Sequence, residues 1–488
     1  MRVKFRARAA FATGPGSTLK NRHDGQNRPI CEEKLTVRPW LSMMFAVCVA
    51  SGAAFIVRSH AIAEEKDSLG KSLLRSAEIP LRSGPPTPRR SRELSGEVFE
   101  GAPPTVAPNQ DRLVPQCLMI TDLSVVDSPR AVSGPWAFGS LMRSAANHDA
   151  SGINPEQFVR RWLAHWESDQ QLNGRLVRKR NGIAEFINNW PKKTDGDLDL
   201  ERAPFRLLAI VNRVDLRNNL VLGVPRIGGG GGGEGRFVFG AVDPSGASLN
   251  FTVIFEYVIK RRTFEEVQAW GRRWYALKDL PLGSEQYLER LQELTDQFAA
   301  PGVDPEQPPN GSALAQLRTN ENAFGNVWEL REFRLDFHHT GLLRQVTVKQ
   351  TPDLIWQGSE DLLTFVRENE SEILAKRYAV PVASPTGTPM LAGSALMQRF
   401  FQWRLPEDAP ANLESARRTF AFNTCNGCHL AETAAEFTHV SPRESNKQAV
   451  LSAFLSEIDL PARAADLRQL VEAGRHYEAK RLPLQFVH

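Results

Sequence analysis

The chain has 488 residues, 41% of them hydrophobic and 24% charged, which is ordinary for a globular protein and enough for two or three domains. The formal net charge of +4 is unevenly placed: residues 1–63 hold ten Lys/Arg and three Asp/Glu, which leaves −3 for the remainder. A body so near to neutral gives no case for nucleic-acid binding.

Residues 41–57, LSMMFAVCVASGAAFIV, form a 17-residue apolar run between Arg38 and Arg58, with AIA following at 61–63. The run is slightly long for a signal-peptide core of about 7–15 residues, and at the short limit of a membrane span of about 17–25. Basic residues dominate ahead of it, so the N-terminus is expected to stay in the cytoplasm and the rest to cross. Residues 1–63 therefore read as an export signal, cleaved after Ala63 or retained as an inner-membrane anchor. A buried core helix is the alternative. The expected location is periplasmic or otherwise extracytoplasmic. Cysteine usage agrees. Cys31 and Cys48 fall in or before the signal, and Cys117, Cys425 and Cys428 are too few for a disulfide framework. Residues 64–112 are rich in Pro, Ser and Arg and poor in large apolar side chains, which predicts a disordered linker.

From about 113 the pattern is mixed. PEQFVRRWLAHWES places Phe158, Trp162, Leu163 and Trp166 on one helical stripe. RLLAIVN (206–212), RFVFGAV (236–242), LNFTVIFEYVI (249–259), WELREFRLDF (328–337) and LLRQVTV (342–348) predict strands. Several alternate apolar with polar, which predicts a sheet with one wet face. Glu329, Arg331, Glu332 and Arg334 read as part of that wet face. Asn212 and Asp215 read as turn residues at a strand end. GGGGGGEGRF (228–237) lacks the Lys-Ser/Thr ending of a phosphate loop and precedes a strand, so it reads as a flexible hairpin loop. Two helices are expected between the strands: one over TFEEVQAWGRRWYALKDL, opened by a Thr263/Glu266 capping box, and one over 284–299. His338 and His339 in DFHHTG face opposite sides of a strand end and are expected in a solvated turn. Strands and helices do not alternate cleanly, so the fold class is α+β. Its first part is a mixed or antiparallel sheet domain with helices, over 113–351.

After about 352 helical patterns dominate, at 359–378, 391–403, 411–424, 445–456 and 462–473, with a Ser445/Gln448 capping-box pattern and Gly474 at a helix stop. This predicts an all-α domain over 352–488. It contains FNTCNGCHLAET, residues 422–433. Cys-x-x-Cys-His suits covalent haem: two thiols add across the porphyrin vinyl groups, and the adjacent histidine becomes an axial ligand. Asn426 and Gly427 are small, as a crowded thioether loop requires. On the preceding helix, Leu413, Ala416 and Phe420 share a face that either covers a porphyrin edge or packs as ordinary core.

The segment resembles the attachment site of c-type cytochromes. The resemblance implies a cytochrome-c-like C-terminal domain carrying one haem c, with Cys425 and Cys428 as thioether residues and His429 as proximal iron ligand. The longer string CNGCHLAETAAEFTHVSPR is similar to a group of largely uncharacterised exported proteobacterial proteins. That likeness extends upstream through LAIVNRVDLR, GEGRFVFG, FTVIFEY and NGSALAQLRTNE, and it implies no particular reaction. Small cytochromes c supply a methionine after the motif as sixth ligand, whereas no methionine follows Cys428 here. The candidates are His439, His476 and His488 downstream, or Met397 and Met390 upstream. His439, ten residues after His429, is favoured as distal ligand, and a bis-histidine iron would sit at low potential. The other role open to His439 is a hydrogen bond to a haem propionate or a loop carbonyl. Arg443 either pairs with a propionate or is solvated. Zinc on Cys425, Cys428 and His439 is the competing metal, though a second close Cys or His pair is missing.

These features predict an exported monohaem c-type cytochrome that passes single electrons to a redox partner protein. The alternatives are a haem-containing oxidoreductase, a gas or redox sensor using the α+β domain, and a zinc-binding structural protein. The sequence carries no G-x-S-x-G and no H-E-x-x-H.

Overall fold

Ten strands are present in the computed structural model, which describes residues 112–217, 231–397, 401–429, 432–435 and 437–472. The apolar run 41–57, the linker up to residue 111, the start of the glycine run, Gly474, His476 and His488 lie outside the described residues. Among the described residues no helix is long and apolar enough to cross a membrane.

The strands are β1 (Met119–Ile120), β2 (Gln170–Leu172), β3 (Arg175–Val177), β4 (Phe205–Arg213), β5 (Glu234–Val242), β6 (Ser248–Val258), β7 (Leu314–Glu321), β8 (Trp328–Leu335), β9 (Leu343–Val346) and β10 (Ala395–Met397). Eight of them make one antiparallel sheet in the order β1-β4-β5-β6-β7-β8-β10, and β9 pairs with β8 beside β10. β2 and β3 form a separate hairpin. The class is α+β, with a large antiparallel sheet.

The strand expected at 328–337 forms as β8, but the register buries both of its faces. Directly opposed residues share a face. Phe237, Phe255, Leu317 and Phe333 line up across β5 to β8. That face packs on Trp162 and Trp166 of the stripe carried by α1 (Pro155–Leu163) and the turn after it. On the other face Arg236 stands opposite Glu256, and Arg318 opposite Glu332. This second face is not wet. Glu256, Arg318 and Glu332 are each at most 1% exposed, and Glu329 and Arg331 on the first face are also buried. The charges pair across strands, which removes the reason for a charged face to stay in solvent.

Local signals hold where chemistry fixes the helix start. Thr263 and Glu266 form both halves of the capping box on α2 (Phe264–Tyr275), and Ser284 caps α3 (Glu285–Ala299). The stretch from 352 on combines helix, loop and strand. α4 (Glu360–Glu368) and α5 (Glu414–Phe422) match expected helices. Residues 391–403 do not form a helix; Ala395–Met397 pair with β8 instead. At 445–456 the chain runs mostly in loop, with Val440 bridged to Leu451, and Gln448 donates to Thr121 rather than closing a capping box. The helical turn α6 is Cys425–Cys428, and α7 is Leu460–Glu472. The described residues, from Arg112 to Glu472, belong to one compact unit.

Candidate functional site

α6 follows α5 after a two-residue break at Asn423 and Thr424. Thr424 caps the turn, its Oγ1 accepting from Gly427 N at 3.0 Å. Trp403 Nε1 donates to Thr424 Oγ1 and to Asn426 Oδ1, both at 2.9 Å, and Asn426 Nδ2 donates to the Leu396 carbonyl. Cys425 N donates to Thr351 Oγ1 at 2.9 Å. A Cβ at Gly427 would overlap the Ala421 carbonyl oxygen, so glycine is required there by close approach. The turn is thus fixed from three sides by residues distant in sequence. Replacing Trp403 with Phe removes both indole hydrogen bonds and is expected to cost about 1–3 kcal/mol in urea unfolding, with Asn426 left buried and short of a donor.

Cys425, Cys428, His429 and His439 are all buried, and both cysteines are free thiols. Burial pushes the Cys425 thiol up to about 11. Cys428 rises too, through burial and then through Cys425 and Asp459 nearby. Burial holds the His429 imidazole down at about 4. His439 is likewise depressed, by burial and by the neighbouring His429. At neutral pH the site therefore holds two thiols and two neutral imidazoles, and neutral imidazole is the ligating form.

The structure brings Cys428, His429 and His439 together. Cys428 Sγ lies 3.2 Å from His439 Nε2, and His439 Nδ1 lies 2.8 Å from Ser452 Oγ. The His429 and His439 ring centroids are 5.0 Å apart, and Trp328 packs on His429 at 4.8 Å. Among the described residues there is no group of three or more His, Cys, Asp or Glu placed to hold a metal ion.

His429 and His439 line a cavity of about 60 Å³, room for a few waters at about 10–15 Å³ of such space each. The charged sheet face also lines it, through Arg213 from β4, Arg236 from β5, Ile254 from β6 and Asn320 from β7, with Arg463 from α7. Asn320 donates to Thr252 Oγ1, while its Oδ1 has no partner among the described residues. Apolar walls come from Met119, Val211, Val238 and Leu455.

Other expected roles fall elsewhere. Ala416 and Phe420 pack with Leu362, Val366, Tyr378 and Trp403 in a small core, not on the cavity. Arg443 is buried at Asp127 and donates to the Leu207 carbonyl at 3.0 Å, so it is neither solvated nor at this site. Met397 packs beside Cys425, Met390 lies in the small core, and neither lines the cavity. Asp215 is a buried partner of Arg213, and Asn212 caps the same turn through Val214 N. His338 and His339 lie in an exposed turn. Of the three arginines of the cavity wall, only Arg236 falls in the GGGGGGEGRF stretch and only Arg213 in the predicted strand end before Asp215, and neither pattern marks a cavity residue.

His429 supplies a pH test on the chain without any added ligand. The unfolded histidine titrates near 6.5 and the folded one near 4. Between these values the unfolded chain binds more protons, so stability is present above about pH 6.5 and lost as pH falls towards 4. The loss is about 3 kcal/mol at about 1.4 kcal/mol per unit. His429→Gln is expected to flatten that slope relative to the wild type in urea titrations at pH 4 to 7. Parallel slopes would place the histidine in a solvated setting.

No family model matches the chain, and no curated protein or solved structure matches it either.

Proposed function

We propose that this is an exported monohaem c-type cytochrome whose C-terminal region, residues 352–488, is a cytochrome-c-like haem-binding domain. Cys425 and Cys428 would hold haem c through thioethers, and His429 would be the proximal iron ligand. Haem bound there supplies one-electron exchange at its iron. The observation that carries this reading is the CNGCH turn itself: a fixed, buried turn that delivers a neutral imidazole into a cavity walled by apolar side chains and guanidinium groups.

The donor set fits the group. Two thiols three residues apart precede an imidazole, and a second imidazole lines the same space. The room does not fit, because about 60 Å³ holds water rather than a porphyrin.

His439 is the candidate distal ligand, and the reading as an electron carrier predicts six-coordinate iron. The loaded wild type is expected to show a reduced spectrum insensitive to carbon monoxide, and His439→Gln to bind carbon monoxide. Ready binding by the wild type would leave His439 as a hydrogen-bonding residue and favour the gas-sensor or oxidoreductase alternatives. A preparation from a haem-c-competent host with no covalent haem would overturn the proposal, and metal analysis of that preparation would then test zinc.

Export through residues 1–63, passage to the periplasm, anchoring by 41–57 and electron exchange with a redox partner protein complete the proposal. N-terminal sequencing of the mature chain separates cleavage near Ala63 from anchoring.

A further inference from the structure

We propose that the groove at the start of α2 binds a small phosphate monoester, and that Arg273 takes the phosphate. The groove shares no residue with the cavity at His429, and the proposal does not depend on haem.

The connection from β6 to α2 makes the groove. β6 ends at Val258, and the chain then runs to the Thr263/Glu266 capping box that opens α2. Lys260, Arg261, Glu266, Ala269, Trp270 and Arg273 line a space of about 280 Å³. Pockets for drug-sized ligands span about 300–1,000 Å³, so this one suits a small molecule. Trp270 gathers the cations. It is buried, and it precedes Arg273 by three residues on one face of α2. The guanidinium carbon of Arg261 lies 4.8 Å from the indole centroid, and that of Arg273 lies 5.9 Å from it. A guanidinium held against an aromatic ring is oriented by that contact while its N–H groups stay available.

Three cations and one carboxylate line the groove. Lys260 Nζ is already held by Asp304 at 2.6 Å and Glu306 at 2.9 Å. Glu266 accepts from the Arg262 and Thr263 backbone N–H groups. Arg261 donates to the Lys260 carbonyl and to Gln297 Oε1, both at 2.7 Å, and has no ion pair among the described residues. Arg273 has neither a hydrogen bond nor an ion pair among the described residues, and Glu293 near it is paired with Arg290. The two arginines also repel each other: burial, and then Arg273, hold Arg261 below its ordinary value. A bound dianion relieves that repulsion. The open fork of Arg273 matches phosphate oxygens in two-point contact, and Arg261 adds a second positive charge. A phosphate monoester carries about −1.5 to −2 at pH 7, whereas a monocarboxylate carries a single charge.

The test is calorimetric titration of the full chain with glycerol 3-phosphate at constant ionic strength. The wild type is expected to bind with a Kd at or below about 1 mM, and glycerol to give no saturating heat. Arg273→Gln is expected to weaken binding at least about tenfold by removing the fork. Ala269→Glu keeps every arginine, places a helix-favouring residue at an exposed position and adds a second carboxylate to the groove. It too is expected to weaken binding at least about tenfold, through like-charge repulsion. Urea midpoints check that both variants fold. No saturation of the wild type by about 10 mM ester would overturn the proposal, as would undiminished binding by either folded variant. Inorganic phosphate is expected to bind more weakly than the ester, because it leaves much of the groove to water. Equal binding would overturn the assignment to an ester.

Discussion

On the proposed haem reading, Cys425→Ala/Cys428→Ala is expected to abolish covalent haem, from the one haem per chain that the reading requires to none detectable by intact mass after denaturation. The argument is one of bonds. Each thioether needs one thiol, and the only other described cysteine, Cys117, is buried against the Tyr275 carbonyl. Cys117→Ala is therefore expected to leave loading unchanged. The single variants should each keep one thioether and show lower occupancy. His429→Ala retains both thiols, so it is expected to reduce retention and shift the spectrum without removing the covalent bonds. Covalent haem persisting in the double cysteine variant would place attachment elsewhere and defeat the assignment of the CNGCH turn.

Arg318→Met is expected to cost about 3–5 kcal/mol, the range for breaking a buried charge pair from one side. Arg318 lies between Glu256 and Glu332 on three adjacent strands, at 3.5 and 3.3 Å. Burial works against its cation, and the two carboxylates more than offset this, holding its pKa above the ordinary value. Among the described residues, removing the guanidinium leaves Glu256 with only Arg236 at 3.6 Å and Glu332 with only the partly exposed Arg334 at 3.0 Å as cationic side chains in pairing range, so each buried acid loses the buried cation that offset its desolvation. Removing all three charges together, as Glu256→Met/Arg318→Met/Glu332→Met, is expected to recover most of the loss, because no member of the trio is then left uncompensated. The comparison is made by midpoints in urea at constant slope. A loss under about 1 kcal/mol for Arg318→Met alone would mean that water reaches this face.

The same network shows where sequence reasoning stopped. A charge-alternating strand in WELREFRL has two placements, in solvent or paired with another strand, and periodicity cannot separate them. Register decides, and register depends on β7, which is polar at Gln316, Arg318 and Asn320 and so lacks the usual strand composition. β10 was hidden in the same way. Ala395–Met397 carry helix-favouring residues, yet an open edge of β8 was available to them, and tertiary pairing outweighs a weak local preference over three residues.

What the sequence determined by itself is local: the tryptophan stripe of α1, the capping box at Thr263, and the pairing of two cysteines with the adjacent His429. Each is set by neighbours within a few residues, where spacing alone fixes the face or the hydrogen bond. Only the tertiary structure decided what those groups confront. It brought His439 to Cys428, placed Trp403 and Thr351 on the CNGCH turn, sent Arg443 to Asp127 and set Arg213, Arg236 and Arg463 on the same cavity as His429. Those partners come from distant strands and loops. The free energy that selects them is that of burying charges only where opposite charges meet them, a condition on the whole packed unit rather than on any one segment.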